Sequence, residues 1–205
     1  MKVLLTGMKV LLTGFEPFLD YPLNPTKEVV KRIAEEGVEG LTIIPEILPV
    51  DFDASGPLLK QHIETHAPDV VIMLGLAGGR YKITPERIAI NTKDGAKDNS
   101  GYAPQDEPIE KGAPDGLFAT VPIRSMVNRM IEHGLPAAIS NTAGTYLCNN
   151  MMYVALNEAR KKNDAFRAGF IHIPASHELA IQHGKIPSWS LDDLTKGIRL
   201  CLETL

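Results

Sequence analysis

The sequence predicts an α/β protein with three layers, α/β/α, formed by a single domain around a mostly parallel central sheet. Continuous apolar runs, which are typical of parallel strands covered on both faces, occur at residues 69–74 and 168–173. Segments with helical periodicity separate the predicted strands, and this alternation favours βαβ units. The chain has 205 residues, 44% hydrophobic and 22% charged, which is enough for one full core.

Residues 1–7 are repeated identically as residues 8–14. A repeat this short is not a solenoid period, and Lys9 interrupts the apolar region that a signal peptide requires. We interpret the second copy as the native first strand. Residues 1–7 are therefore expected to be a non-native appendage, followed by one domain over residues 8–205.

The loop after this first strand contains two phenylalanines, Phe15 and Phe18. They could close the core as a hydrophobic plug or line a pocket above the strand ends, where open α/β sheets bind ligands. The loop ends at Asn24, a favourable N-cap residue, and Pro25 suits the first position of a helix. That helix is predicted to end at Gly37.

A second strand is predicted over residues 41–48, and the next helix buries three apolar residues: Leu58, Leu59 and Ile63. The apolar strand at 69–74 leads into a glycine-rich turn at residues 75–80. The spacing of its glycines matches neither the dinucleotide-binding fingerprint nor a P-loop. Close approach of the backbone at the rim of a site is the favoured interpretation, and phosphate binding remains a minor alternative.

Residues 85–91 read as a strand that carries Glu86, and residues 92–114 form a long polar loop of the kind that usually has a functional role. A helix is predicted from residues 120–122 to Gly134. A short strand at 137–140 then leads into the turn that precedes Cys148.

Cys148 lies in the first turn of the following predicted helix. The unpaired N–H groups and the positive end of the dipole at a helix start favour a thiolate, which is the nucleophilic form. His172 lies near the end of the next strand. If the two strands that flank the helix are parallel, a right-handed βαβ unit brings His172 beside Cys148. The pair suggests nucleophilic catalysis, although a free cysteine is often only a small buried hydrophobe.

Two further histidines, His177 and His183, resemble a zinc-protease pair but are six residues apart rather than four, so they do not share a helical face. We expect no metal site there. The last segment, residues 191–205, is predicted to be an amphipathic helix in which Cys201 is structural or on the surface.

Charge and cysteine content exclude several kinds of partner. The net charge of -4 argues against a basic surface for nucleic acid or anionic membrane, and no apolar run reaches transmembrane length. Two cysteines are too few for a disulfide framework and suit a reducing cytosol. These features predict a cytoplasmic protein.

Several separated blocks, in order along the chain, identify a known family. The blocks are residues 12–18, Asn24-Pro25, and residues 48–50, 75–80, 84–91, 134–149 and 169–174. From Met8 onward the chain resembles the pyroglutamyl peptidase I family (pyrrolidone-carboxylate peptidases), which are cysteine peptidases. The resemblance implies a phosphorylase/hydrolase-like fold and removal of an N-terminal pyroglutamyl residue from peptides.

The resemblance also implies roles for individual residues. Cys148 corresponds to the nucleophile of a catalytic triad and His172 to its general acid/base. Glu86 corresponds to the third residue of the triad, which orients the imidazole. Phe15 and Phe18 are implied to hold the lactam ring, and Asn24 to hold either the loop or the lactam. No cofactor or metal is implied, and the assembly expected by resemblance is a homotetramer.

One segment departs from the family pattern Asp-Ala-Arg-Ile-Pro-Asp-Asn. Here it reads Asp94-Gly95-Ala96-Lys97-Asp98-Asn99, one residue shorter and without the arginine that is thought to lie near the acyl site. Lys97 could supply a cation, but not the fixed fork of a guanidinium. Two alternatives therefore stay open: a catalytically weakened pyroglutamyl-binding homologue, and a nucleoside-phosphorylase-like transferase, which rests only on the parallel α/β pattern and residues 75–80.

Overall fold

The computed structural model describes residues 7–205, so the predicted appendage lies outside the described residues except for Gly7. Helices and strands follow in chain order: β1 (Met8–Phe15), α1 (Pro25–Glu36), β2 (Leu41–Leu48), α2 (Phe52–His66), β3 (Val70–Leu76), β4 (Thr84–Pro85), β5 (Ile88–Ile90), β6 (Gly116–Phe118), α3 (Ile123–Glu132), α4 (Leu147–Lys161), β7 (Arg167–Ile173), β8 (Ala175–Ser176), α5 (His177–His183), β9 (Ser188–Trp189) and α6 (Leu191–Leu202). Within residues 7–205, no helix has the length and apolar character needed to cross a membrane.

The central sheet has five strands in the order β2-β1-β3-β7-β4. The first four are parallel, and β4 pairs antiparallel with β7. One core cluster packs α1, α3 and α6 against one face of the sheet, and a second packs α2 and α4 against the other. This arrangement confirms the predicted three-layer α/β/α domain with a mostly parallel sheet.

Strand β3 shows why the middle of the sheet reads as one apolar run. All of its residues are buried. Alternation along the strand sends Val70, Ile72 and Leu74 into one core cluster and Val71 and Met73 into the other. Because both faces are covered by helices, every position favours an apolar side chain.

The helix ends follow the sequence signals. The Asn24 side chain accepts a hydrogen bond from the Thr26 N–H at the start of α1, and Gly37 ends that helix with a φ of 69°. In α6, Cys201 is fully buried with its Sγ 3.7 Å from the Met130 Sδ. Cys201 is therefore structural.

The predicted strand at residues 85–91 was wrong as a single element. Its first part, β4, joins the central sheet, whereas β5 turns away and pairs with β6 in a separate ribbon. Glu86 lies in the break between them. The Glu86 N–H still donates to the Phe170 carbonyl at 2.9 Å, and the next residue, Arg87, accepts instead from the Ala119 N–H beside β6. The chain therefore changes its pairing partner after Glu86.

The predicted strand at residues 137–140 was also wrong. This segment makes only two isolated bridges, Ile83↔Ala137 and Glu86↔Ser140. Pro85 lies between the bridged positions and has no N–H to donate toward residues 137–140, so no continuous ladder forms. The βαβ unit expected around Cys148 is therefore incomplete, but α4 still packs directly on β7, the strand that follows it. The start of α4 consequently lies at the C-terminal end of β7, as the expected neighbourhood of Cys148 and His172 requires.

Candidate active site

Cys148 is the second residue of α4 and is half-buried. The first hydrogen bond of the helix ladder joins the Asn150 N–H to the Tyr146 carbonyl, at 3.0 Å. The N–H groups of Leu147, Cys148 and Asn149 therefore precede the ladder. Donors at a helix start can stabilise a negative oxygen that forms beside the thiol.

The end of β3 brings the thiol close to the sheet. A Cβ placed on Gly75 would lie 2.9 Å from the Cys148 Sγ and 2.6 Å from the Phe170 ring, so only glycine leaves room there. Gly75 is also the register partner of His172 on the neighbouring strand β7. Adjacent strands are about 4.8 Å apart and paired residues point to the same face, so the thiol and the imidazole share one face at the same level of the sheet.

His172 is held by a buried carboxylate. Its Nδ1 lies 2.7 Å from the Glu86 Oε1, and the two residues are 5% and 0% exposed, respectively. The Glu86 N–H donates to the Phe170 carbonyl at 2.9 Å, which fixes the carboxylate beside β7. A carboxylate only accepts, so Nδ1 carries the proton in this contact and Nε2 keeps a lone pair. An imidazole in this state can accept a proton from a thiol.

Arg80 completes the cluster, and the sequence analysis assigned it no role. One guanidinium nitrogen donates to the Glu86 Oε1 at 2.6 Å and to the Thr84 Oγ1 at 2.5 Å, and the other donates to the Thr142 carbonyl at 3.2 Å. These contacts neutralise the carboxylate and connect it to the segment that precedes Cys148. They also engage the guanidinium internally, which argues against phosphate binding by the turn at residues 75–80.

The proton equilibrium of the resting site differs from the sequence expectation. Burial raises the pKa of the Cys148 thiol to about 12; the Glu86 charge acts in the same direction, and the Arg80 guanidinium opposes it. Burial also lowers the pKa of His172, although the hydrogen bond to Glu86 raises it. Desolvation thus favours the neutral thiol over the thiolate and the neutral imidazole over the imidazolium in the substrate-free site.

A small cavity opens beside Cys148. Its walls carry no charged side chain: Phe15, Phe18, Asn24, Val50, Leu76, Tyr146, Leu147 and Cys148. Phe15 is buried, whereas Phe18 is half-buried and faces the Tyr146 ring with 6.3 Å between centroids. Both interpretations of the two phenylalanines thus have a basis, because Phe15 belongs to the core and both residues line the cavity.

Asn24 also borders this cavity, but its polar atoms are used by the loop. Its Oδ1 accepts from the N–H and the hydroxyl of Thr26, and its Nδ2 donates to the Glu16 carbonyl at 3.0 Å. Of the two roles considered for Asn24, these contacts favour holding the loop that carries Phe15 and Phe18.

The shortened segment at residues 94–99 contacts Tyr146, a wall of this cavity, through its backbone. The Lys97 carbonyl accepts from the Tyr146 hydroxyl at 3.1 Å, while the Lys97 side chain is exposed. Asp98 is buried and accepts hydrogen bonds from Phe52, Ser100 and Tyr102. The cation that acts on the thiol is Arg80 rather than Lys97.

Asn149, which follows the thiol, anchors the start of α4. Its side chain exchanges two hydrogen bonds with the Ile90 backbone, both at 2.9 Å, and donates to the Thr92 carbonyl at 3.0 Å. The residue is 1% exposed. These contacts fix the helix start, and hence Cys148, to the β5 segment.

Replacing Gly75 by alanine should reduce turnover by about 100-fold, because displacing a reacting group by about 1 Å has an effect of this size. The new methyl group would overlap both the Cys148 Sγ and the Phe170 ring. Gly79→Ala is the matched control, since a Cβ there meets nothing within 4 Å. Turnover numbers of the two folded variants provide the comparison. An equal loss of turnover in both variants, or no loss of turnover in Gly75→Ala, would contradict this arrangement of the thiol.

Sequence reasoning missed four walls of the cavity: Val50, Leu76, Tyr146 and Leu147. The last two directly precede Cys148, so their position next to the nucleophile was a usable signal. Val50 lies just after β2 and Leu76 is the last residue of β3, and only the sheet order places these strand ends next to α4.

Comparison with known proteins gives a consistent result. The family model described as "Pyroglutamyl peptidase" matches residues 8–205. A pyrrolidone-carboxylate peptidase of Lysinibacillus sphaericus is 59% identical over 195 residues, which cover 95% of this chain and 95% of that protein. One from Halalkalibacterium halodurans is 49% identical over 200 residues, covering 97% of this chain and 100% of that protein.

Solved structures with a similar fold come from the same family. Pyroglutamyl peptidase I of Bacillus amyloliquefaciens superimposes with a TM-score of 0.91 at 40% identity, covering 96% of each chain. The pyrrolidone carboxyl peptidase of Thermococcus litoralis superimposes with a TM-score of 0.92 at 38% identity, covering 96% of this chain and 92% of that one.

Proposed function

The chain belongs to the pyroglutamyl peptidase family of cysteine peptidases, and we propose that Cys148, His172 and Glu86 are its catalytic residues. The enzyme hydrolyses the amide bond that follows an N-terminal pyroglutamyl residue. One observation carries the assignment of the residues: the buried Glu86–His172 contact of 2.7 Å lies at the strand ends, where Gly75 leaves room for the Cys148 thiol.

The reaction follows from the protonation states. His172 Nε2 accepts the proton of the Cys148 thiol as the sulfur attacks the scissile carbonyl carbon. Because burial disfavours a standing ion pair, proton transfer accompanies the attack rather than preceding it. Glu86 stabilises the imidazolium that forms, and Arg80 keeps the carboxylate in place.

Backbone N–H groups at the start of α4 stabilise the oxyanion of the tetrahedral intermediate. The imidazolium then protonates the leaving amine, and the peptide departs without its first residue. A water molecule, deprotonated by His172, attacks the thioester at Cys148. Pyroglutamate leaves, and the thiol recovers its proton.

The uncharged cavity accounts for selectivity toward a neutral ring. We propose that Phe15 and Phe18 contact the carbons of the lactam, while Asn24 holds the loop that carries them. A free amino terminus would bring a charge into a cavity that has no charged wall, at a large desolvation cost.

Hydrolysis of three fluorogenic amides tests this proposal. We expect the pyroglutamyl amide to be cleaved with a kcat/KM at least about 100-fold higher than the prolyl and glutamyl amides, because both of these carry a free amine that would lose hydration. No turnover of the pyroglutamyl amide by reduced protein would support the weakened, binding homologue instead. Equal cleavage of the prolyl amide would contradict the role of the uncharged walls.

We also propose a homo-oligomer, with the tetramer as the expected form. In support, Phe118 and Ile90 are 65% and 37% exposed on the β5–β6 ribbon, although both are apolar. Light scattering on protein eluted from a size-exclusion column would give the mass of the assembly. A monomer at micromolar concentration would contradict the proposed oligomer.

The proposed location is the cytoplasm. Both cysteines are free thiols, and an active thiol requires a reducing environment. Enrichment of the protein outside the cytosolic fraction of cells would contradict this proposal.

A further inference from the structure

A second cluster of chemically capable side chains lies away from the active site, between β2 and α2. His62 and His66 are four residues apart on α2, the spacing that places two side chains on one helical face. Their rings are stacked with 6.0 Å between centroids and 12° between planes. Glu46 of β2 faces both rings.

Three ligand atoms converge in this cluster. The Glu46 Oε1 is 3.3 Å from the His62 Nδ1 and 3.4 Å from the His66 Nε2. All three atoms lie within 4.8 Å of one another. Metal–ligand bonds of about 2.0–2.2 Å at tetrahedral angles would place ligand atoms about 3.3–3.5 Å apart. Two of the three separations already have this value, and the third is no more than 4.8 Å.

We propose that Glu46, His62 and His66 form a binding site for one divalent transition-metal ion, with Zn²⁺ as the best match. Two imidazoles and one carboxylate are donors that Zn²⁺ accepts readily, whereas Mg²⁺ and Ca²⁺ prefer oxygen ligands. Three protein ligands leave a coordination position for water.

The surroundings of these three side chains favour a metal-binding site over an accidental contact between surface residues. The side chains of Glu46, His62 and His66 are 28%, 17% and 30% exposed, so an ion can reach them while the protein shields it from bulk water. Two apolar residues of α2, Leu59 and Ile63, pack in the same layer against Leu48 of β2.

The contrast with the other histidine pair supports this choice. His177 and His183 are six residues apart, and the His177 Nδ1 contacts the Ser188 hydroxyl at 2.9 Å. The four-residue spacing that this pair lacks is present at His62 and His66, and the fold adds the carboxylate from a different element.

A bound ion would connect β2 to α2, the two elements joined by residues 49–51. Val50, in that connection, is a wall of the cavity beside Cys148. Metal binding should therefore raise the thermal unfolding midpoint and stabilise this connection, without contacting the reacting groups.

Zinc titration by calorimetry and equilibrium dialysis tests the proposal. The Cys148→Ala protein is the suitable background because it removes a competing thiol, and Cys201 is buried. We expect one Zn²⁺ per chain, no saturable binding of Mg²⁺, and a visible Co²⁺ absorption typical of nitrogen and oxygen ligands. Zinc should also raise the unfolding midpoint of this background protein.

Adding His62→Ala, His66→Ala or Glu46→Gln to this background should abolish the saturable step and the shift of the unfolding midpoint. Glu46→Gln preserves the side-chain volume, which guards against a folding defect. His133→Ala is the matched control, since His133 is an exposed histidine at the end of α3. Absence of saturable zinc binding in the background protein, or unchanged binding in the folded variants, would overturn the proposal. Neither result depends on catalysis, so the site can fail while the peptidase assignment stands.

Discussion

Replacing Cys148 by alanine should lower kcat for a pyroglutamyl amide by at least about 10⁴-fold, because removal of a nucleophile eliminates the covalent route. Cys148→Ser keeps the geometry but offers a hydroxyl, which is a weaker nucleophile beside a neutral imidazole, so it should lose nearly as much. Both variants should still bind the substrate, since the other walls of the cavity are unchanged. Steady-state and single-turnover kinetics would measure the two effects separately.

Cys201→Ala is the matched control for the nucleophile. Cys201 is buried against Met130 in the core cluster on the opposite side of the sheet, so this variant should keep its turnover. Acid quenching of the wild-type enzyme during turnover should also leave a pyroglutamyl thioester on the Cys148 peptide. Undiminished activity of Cys148→Ala, or a thioester found on Cys201, would contradict the proposed nucleophile.

Replacing Glu86 by glutamine should lower kcat by about 10³- to 10⁴-fold, as expected when the carboxylate that orients a catalytic imidazole is lost. The side-chain volume is preserved, but the amide provides a weaker acceptor to the His172 Nδ1–H and leaves the Arg80 guanidinium without its charge partner. Glu132→Gln, at an exposed position on α3, is the control with the same chemical change.

The pH profile distinguishes orientation from a general structural defect. In the wild type, burial lowers the pKa of His172 from 6.5, and Glu86 raises it again. The acid limb of kcat/KM should therefore lie below pH 6.5, because activity is lost as His172 becomes protonated. Removing the carboxylate should move that limb to still lower pH. A limb that moves upward in Glu86→Gln would contradict the direction of this coupling.

Local signals in the sequence predicted much of the fold. The apolar run at residues 69–74 identified β3 because a strand covered on both faces has no polar side. Asn24 and Pro25 identified the start of α1, since an N-cap oxygen and a proline fixed in φ act on neighbouring backbone groups. The polar loop over residues 92–114 was also predicted, although β6 just beyond it was not.

Both errors arose next to Pro85, where the chain changes its pairing partners. Residues 85–91 and 137–140 have strand-like composition, yet whether they form ladders depends on the donors that their partners supply. Pro85 supplies no donor to residues 137–140, so that segment makes only isolated bridges. Residues 85–91 split because Arg87 bonds to Ala119 rather than to β7. Composition does not reveal this, because pairing partners lie far apart along the chain.

By itself, the sequence determined the three-layer α/β class, which follows from local periodicity, and the family, which follows from short motifs. The resemblance to that family is also what led to the proposed nucleophile, base and orienting carboxylate. Tertiary structure alone decided how the residues act together. The sheet order brings Gly75 of β3 next to His172 of β7, Arg80 reaches Glu86, and desolvation reverses the pKa shift expected for a thiol at a helix start. It also brings Glu46 to His62 and His66. Distances between side chains on different elements, and the water removed around them, are properties of packing that no short stretch of sequence contains.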